Sequence, residues 1–334
     1  MEQRIYSAFQ VTENENGTFS RKTTTLSTIE LPRHEVLIRV HYSSLNYKDA
    51  LSAAGNKGIT RQYPHTPGID ASGIVEFSLS PDFQPGDEVI VTGYDLGMNT
   101  PGGFGQYICV PASWVVPKPT GLTLEESMTL GTAGFTAALA LFHLQRCGQK
   151  PEHGPILVTG ATGGVGSLAV NLLSINGFEV IAATGKSEQT DCLKSWGANQ
   201  VIDRSVVDDL SGKALLRPKW AGAIDNVGGN TLATVLKATS EHGNICVCGN
   251  VSSPVLNTTV FPFILNGVNL LGINSATTPM KLRRMIWDRL AAEWKPKILA
   301  AIKKICVLNE MEHLVNQMLQ GKCVGRNVLD LRNI

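Results

Sequence analysis

The sequence predicts an α/β fold in two parts, a β-rich domain followed by a doubly wound parallel sheet. Three observations predict it. Short alternating runs of apolar and polar residues, cut by Pro and Gly, fill the N-terminal part of the chain. From Ile156 onward, strand-like and helix-like runs alternate. Where that alternation begins, Ile156-Leu-Val158 leads into Thr159-Gly-Ala-Thr-Gly-Gly-Val-Gly166, a glycine cluster between a strand and a helix.

Taken in order, Val36, Ile38, Val40 and Tyr42 alternate with polar or smaller neighbours, the period of a half-buried strand. Residues 73–77, 88–92 and 106–110 are further short strands, separated by Pro81, Pro85-Gly86 and Pro101-Gly102-Gly103. Strands this short and close predict a small barrel or sandwich. Pro117-Lys-Pro119 marks a break, and Thr123-Leu-Glu-Glu126 follows as a capping box. The helix it opens is expected to be interrupted at Gly131 or Gly134 and to end at Cys147-Gly148. Then come strand 156–158, helix 167–176, strand 180–183, helix 188–196, and strands 201–202 and 223–225. Helix 230–239 and strands 245–248 and 270–273 complete six strands, enough for two βαβαβ halves. A helix over 279–294 and a strand over 327–331 end the chain. The expected domains are 1–121, 122–274, and a return of 275–334 to the first.

Composition narrows the function. With 43% hydrophobic and 17% charged residues the chain is an ordinary globular protein, long enough at 334 residues for two domains. A net charge of +1 offers no general attraction to nucleic acid or to an anionic membrane. The longest near-apolar stretch, Ala133 to Phe142, is shorter than a bilayer span and contains Gly134 and Thr136. The first residues, Met1-Glu-Gln-Arg-Ile-Tyr6, carry no apolar signal core. Seven scattered cysteines, an odd number, fit a reducing compartment, so a cytoplasmic protein is expected, with no membrane or nucleic-acid partner. Cys246 and Cys248 lack a second pair that would make them half of a zinc site.

The glycine cluster carries the chemistry. Glycines let the backbone turn tightly and approach a ligand closely, and the following helix presents free N–H groups and the positive end of its dipole. A pyrophosphate fits there, against Thr162, Gly163, Gly164, Val165 and Gly166. The spacing Ala161-x-Gly163-x-x-Gly166 matches the dinucleotide fingerprint with Ala for the first Gly. An NAD site needs an acid at the end of the second strand, about 20 residues beyond the glycines. Here that position reads Thr184-Gly185-Lys186-Ser187. A hydroxyl and a cation, joined by Arg204 after the neighbouring third strand, suit a 2′-phosphate instead, so NADPH is the expected cofactor. The alternative for Lys186 and Arg204 is that both are solvated surface charges.

Gly68-Ile-Asp70-Ala-Ser-Gly73, Pro85-Gly-Asp87, Gly102-Gly-Phe-Gly-Gln-Tyr107, Gly131-Thr-Ala133-Gly-Phe-Thr136 and the glycine cluster occur in that order. In this the chain resembles the medium-chain dehydrogenase/reductase superfamily, which implies a GroES-like catalytic domain and a Rossmann domain. Ser43-Ser-Leu-Asn-Tyr-Lys-Asp49, Arg61-Gln-Tyr-Pro64, Trp220-Ala-Gly-Ala-Ile-Asp225 and Phe261-Pro-Phe-Ile-Leu265 resemble a zinc-free subgroup, the quinone-oxidoreductase-like YhdH/YhfP type that includes acrylyl-CoA reductases. Metal-dependent relatives have Cys and His where this chain has Asn46 and Ile69, neither able to replace a thiolate or an imidazole on zinc. Between residues 80 and 120 only Cys109 appears, so the structural-zinc loop is missing too. No metal is expected, and simple alcohol oxidation loses its Lewis acid.

The resemblance therefore implies NADPH-dependent reduction of the C=C bond of a short activated enoyl substrate, acrylyl-CoA above all. Hydride goes to Cβ, and donors are placed for the developing enolate. It places candidate side chains in Asn46-Tyr47-Lys48-Asp49 and carries Tyr47 over as a nicotinamide-side contact and proton donor. The alternative for Tyr47 is a packing role. Arg61 is the candidate for an acyl-CoA phosphate, or else is simply solvated, and His65 is expected to be structural. Further carry-overs are Asn250, Ile264 and Ser275 near the nicotinamide half. Lys186 stands where several relatives have Arg, and Asn250 where they often have an apolar residue or Gly. Two other functions stay open: an NADPH:quinone reductase, and a low-turnover NADPH-binding protein. A homodimer through the strand 270–273 is expected by analogy.

Overall fold

In the computed structural model, which describes residues 3–332, contacts divide the chain into two units. One contains residues 1–132, 276–291 and 299–334; the other contains 133–275 and 292–298. The first division falls between Thr132 and Ala133, not at the 121/122 suggested by the Pro117–Pro119 break. The reason is local: Thr132 is bonded to Asp70 through both its N–H and its hydroxyl.

The first unit opens with an antiparallel hairpin, β1 (Ile5–Glu13) and β2 (Phe19–Ser27), paired from Ile5↔Ser27 to Glu13↔Phe19. The sequence reading places no strand here because β2 mixes Arg21 and Lys22 among its threonines; β-branched side chains and pairing with β1 outweigh the charges. β3 (Val36–Ser44) is central and mostly buried. It pairs antiparallel with β4 (Asp70–Ser78) and with β6 (Tyr107–Val110). β5 (Glu88–Thr92) and β7 (Val115–Pro117) extend the sheet beyond β4. Between β3 and β4 lies α1 (Tyr47–Ala53), a segment for which the sequence alone gives no element. Phe9, Ile38, Val40, Val75, Val89, Phe104 and Ile108 fill the core.

The expected capping box is present: Glu126 N–H donates to Thr123 Oγ1 at 3.0 Å, and Thr123 N–H to Glu126 Oε2 at 2.9 Å. It opens α2 (Leu124–Arg146), which is broken at Gly131, whose φ of 51° and ψ of −155° no side chain tolerates well. By length and composition α2 is apolar enough to cross a membrane, but 83% of its most apolar window is buried inside the protein.

The second unit is a doubly wound parallel sheet. β8 (Ile156–Val158), α3 (Gly164–Ile175), β9 (Val180–Thr184), α4 (Thr190–Ser195) and β10 (Gln200–Asp203) make the first half. β11 (Trp220–Asp225), α5 (Gly229–Lys237), β12 (Thr239–Val247), α6 (Phe261–Asn266) and β13 (Asn269–Gly272) make the second. The spatial order β10-β9-β8-β11-β12-β13, all parallel, reverses direction between β8 and β11, where such folds bind nucleotides. α3 begins at Gly164, earlier than the expected Ser167, because the glycine turn itself supplies its first residues. The chain then returns to the first unit through α7 (Met280–Ala291), α8 (Leu299–Ile302), β14 (Lys303–Cys306), α9 (Met311–Leu319) and β15 (Arg326–Asp330), the last of which joins β3.

Candidate functional site

At the carboxyl end of β8, Thr159 N–H bonds Ile224 O, and Gly160 turns the chain with φ 58°. The left-handed residue is thus Gly160, which explains why position 161 can be Ala. Gly163 precedes α3 and no side chain caps the helix, so its leading N–H groups face outward for a ligand anion. A Cβ on Gly166 would lie 2.3 Å from Gly160 O and 2.7 Å from Ala161 Cα, so the turn and α3 pack as closely as a dinucleotide turn requires. This is a cradle that a pyrophosphate fits.

The adjoining corner gathers Thr162, Thr184, Gly185, Lys186 and Arg204. Thr162 Oγ1 lies 3.4 Å from Thr184 Oγ1, which also accepts the Lys186 N–H at 3.1 Å. Pairing of β10 with β9 sets Asp203 beside Thr184, so the next residue, Arg204, arrives at the tip of β9. Its side chain lies across Gly185: a Cβ there would be 2.8 Å from Arg204 Cδ and 3.0 Å from Nε. Asp203 itself is turned back to accept the Ser205 N–H at 2.9 Å. Lys186 is half-buried and Arg204 exposed.

A second polar group at the same sheet edge escapes the sequence reading. Thr159 Oγ1 donates to Asp225 Oδ1 at 2.7 Å, and Gly228 N–H to Oδ2 at 2.8 Å. Burial raises the Asp225 pKa, while the Thr159 hydroxyl and backbone N–H groups pull it down. The signal lay at the end of the Trp220–Asp225 motif. Asn250 is exposed, its Cα 3.1 Å from where a Gly228 Cβ would stand. Ile264 is exposed on α6, and Ser275 Oγ accepts from Thr136 Oγ1 at 2.8 Å.

In the first unit, Asn46 and Tyr47 stand together at the start of α1, and Arg61 is exposed in the loop beyond it. Asn46 Nδ2 donates to Asp70 Oδ2 at 2.8 Å, Ser44 O at 3.1 Å and Asp49 Oδ2 at 3.3 Å, while its Oδ1 accepts from Arg326 Nη1 at 3.1 Å. The amide donors are therefore committed within the protein, and the expectation that Asn46 acts among the reacting groups gives way to a structural place at the head of α1. Tyr47, by contrast, is half-buried, and its hydroxyl makes no hydrogen bond among the described residues.

Asp49 is fully buried. Its Oδ1 accepts the N–H groups of Ile69 (2.8 Å) and Gly68 (3.2 Å), and its Oδ2 accepts that of Asn46 (2.8 Å). Burial, reinforced by the Asp70 carboxylate, pushes its pKa up to about 7 against the opposing pull of those donors. Asp70 accepts from Ser44, Asn46 and Thr132, and Arg326 lies 3.7 Å away. Arg326 carries no local sequence signal; only β15 returning beside β3 reveals it. Ile69, the apolar residue before Asp70, is buried. His65 is buried too, with no partner for Nε2 among the described residues, and burial lowers its pKa.

Known proteins bear on this geometry. A model for the alcohol dehydrogenase GroES-like domain matches residues 32–120, and one for zinc-binding dehydrogenases matches 164–292. The putative quinone oxidoreductase YhfP of Bacillus subtilis is 43% identical over 98% of this chain and 99% of its own. Its solved structure with NAD bound has a TM-score of 0.94 at 44% identity, covering 98% of this chain and all of that one, 100%. Acrylyl-CoA reductase AcuI of Ruegeria pomeroyi is 41% identical over 96% of this chain and 97% of its own. The yhdH oxidoreductase of Salmonella enterica, solved in complex with NADP, has a TM-score of 0.95 at 37% identity, covering 98% and 100% of the two chains.

Proposed function

The chain belongs to the zinc-free, quinone-oxidoreductase-like medium-chain dehydrogenase/reductase family, and from that premise we propose that it is an NADPH-dependent reductase of a short activated enoyl thioester, acrylyl-CoA in particular. The observation that carries the reading is the corner at the tip of β9, where Arg204 lies across Gly185 beside Thr184 and Lys186, and Asp203, paired with Thr184, instead accepts from Ser205 N–H. The NADP-bound Salmonella relative supports it.

The leading N–H groups of α3 bind the pyrophosphate, and Lys186 and Arg204 bind the 2′-phosphate through charge-assisted hydrogen bonds. NADPH, when bound, supplies the hydride that goes to Cβ of the alkene. Tyr47 donates its phenolic proton to Cα, which its unpartnered hydroxyl leaves it free to do. With Asn46 and Ile69 at the metal positions, enolate charge is met by hydrogen-bond donors. Arg61, exposed and cationic, meets a CoA phosphate. β13 is an edge strand, preceded in the chain by exposed Val260, Ile264 and Leu265, and a second copy pairs there to give a homodimer.

The test is NADPH consumption with acrylyl-CoA against a benzoquinone. Faster turnover of acrylyl-CoA is expected. Preference for the quinone, as the name of the Bacillus relative suggests, overturns the substrate assignment, and binding without turnover of either overturns the enzymatic reading.

A further inference from the structure

We propose that Arg326, Asp70 and Asn46 form a positioning network for Tyr47, a tether that sets the first turn of α1 through hydrogen bonds where metal-dependent relatives have ligands. The inference rests on the reading of Tyr47 as proton donor.

Arg326 is buried, and each nitrogen of its guanidinium donates at least one hydrogen bond. Nε donates to Thr129 O at 3.0 Å, Nη1 to Asn46 Oδ1 at 3.1 Å and Leu45 O at 3.4 Å, and Nη2 to Ser44 Oγ at 2.7 Å. Ser44 passes the connection on by donating to Asp70 Oδ2 at 2.7 Å. Asp70 then holds Asn46 Nδ2 on one side and Thr132 on the other. Thus β15, the end of β3, the start of β4 and the break in α2 are tied to a single residue, Asn46.

Asn46 immediately precedes Tyr47, and its backbone is held as well, by Asp49. Its φ of −119° and ψ of 162° are therefore fixed from several sides, and they set where the Tyr47 side chain leaves the backbone. Stability alone does not explain such a cluster, because apolar residues of similar volume often serve a buried site as well as an ion pair does. A buried polar network that joins several elements specifies geometry instead. Gly131 agrees: a Cβ there would fall 2.4 Å from Asp70 Oδ2 and 2.8 Å from Arg326 Nη2, so the α2 backbone is drawn right onto the network.

The experiment places Arg326→Met and, separately, Asn46→Ser in the full-length enzyme, with and without Tyr47→Phe. Serine keeps a helix cap while deleting the bridging amide. The readouts are kcat and KM for acrylyl-CoA, NADPH affinity by fluorescence, and the thermal midpoint. Each substitution is expected to lower kcat by about 10- to 100-fold, the scale of a misplaced group, with NADPH affinity unchanged. The loss is expected to vanish in the Tyr47→Phe background, because the network acts through that hydroxyl. An equal fold-loss in both backgrounds, or none in either, overturns the proposal. A wild-type rate for Tyr47→Phe alone instead overturns the proton-donor reading on which it rests. Should Arg326→Met fail to fold, Asn46→Ser decides the same comparison.

Discussion

Replacing Arg204 with alanine removes one of the two cations proposed to hold the 2′-phosphate. The side chain is exposed, follows β10 and lies against Gly185. Losing a hydrogen bond to a charged group costs about 1.5–3 kcal/mol. At roughly 1.4 kcal/mol per decade, NADPH should bind about 10- to 100-fold more weakly. NADH lacks the phosphate and should be unaffected, so the selectivity ratio falls by the same factor. Fold stability should hold to about 0.5 kcal/mol, since an exposed side chain away from the core is being shortened. The corner is open to solvent, so the wild-type preference should also shrink as ionic strength rises. Gly185→Ala makes an independent version of the test. Its new methyl would come 2.8 Å from Arg204 Cδ, a contact that displaces the arginine without deleting it. Fluorescence titration of both proteins with NADPH and NADH provides the measurement. An unchanged ratio in Arg204→Ala would falsify the assignment of this corner, and the NAD-bound Bacillus relative shows that the fold accommodates the other cofactor.

Three further outcomes are expected. Gly131→Ala, forced to φ 51° and driven against Asp70 and Arg326, should lose about 3–5 kcal/mol in urea unfolding, and a loss below about 1 kcal/mol would sink the account of the α2 break. Asp49 has a folded pKa raised from 3.8 to about 7, so the folded state holds more protons than the unfolded one between those values. Its contribution is therefore complete below about pH 4 and lost by about pH 7. The unfolding free energy of the wild type should fall more steeply over that window than that of Asp49→Asn, and equal slopes would count against the raised value. Introducing Asp at Leu265, exposed on α6 shortly before β13 in the chain, should turn a dimer into a monomer by sedimentation, whereas a wild-type monomer would remove the dimer proposal.

Much of the second unit was legible in the sequence because its information is local. The parallel strands are short apolar runs, and β8, β9, β11 and β12 are each followed by a helix; the six strands expected are the six observed. The break in α2 was expected at Gly131 or Gly134; Asp70 and Arg326, distant in sequence, select Gly131. The β1–β2 hairpin and α1 were not legible. The first hides its pairing among charged and hydroxyl side chains, and the second is a short helix of seven residues whose first turn is boxed by Asn46 and Asp49. Asn46 illustrates the difference within the site itself. Its absence of thiolate was visible at once, but its hydrogen bonds were not.

By itself the sequence determined where the glycine turn lies between a strand and a helix, and that Asn46 and Ile69 offer no thiolate or imidazole. Those are properties of residue types and of spacing along a few turns of chain. The tertiary structure decided that Gly160 makes the turn, that Arg204 lies across Gly185, and that Arg326 is joined to Asn46. Each of these depends on segments brought together by sheet pairing: β9 with β10, and β3 with β15. Such pairings are fixed by burial of the whole core, so no local window of the sequence contains them.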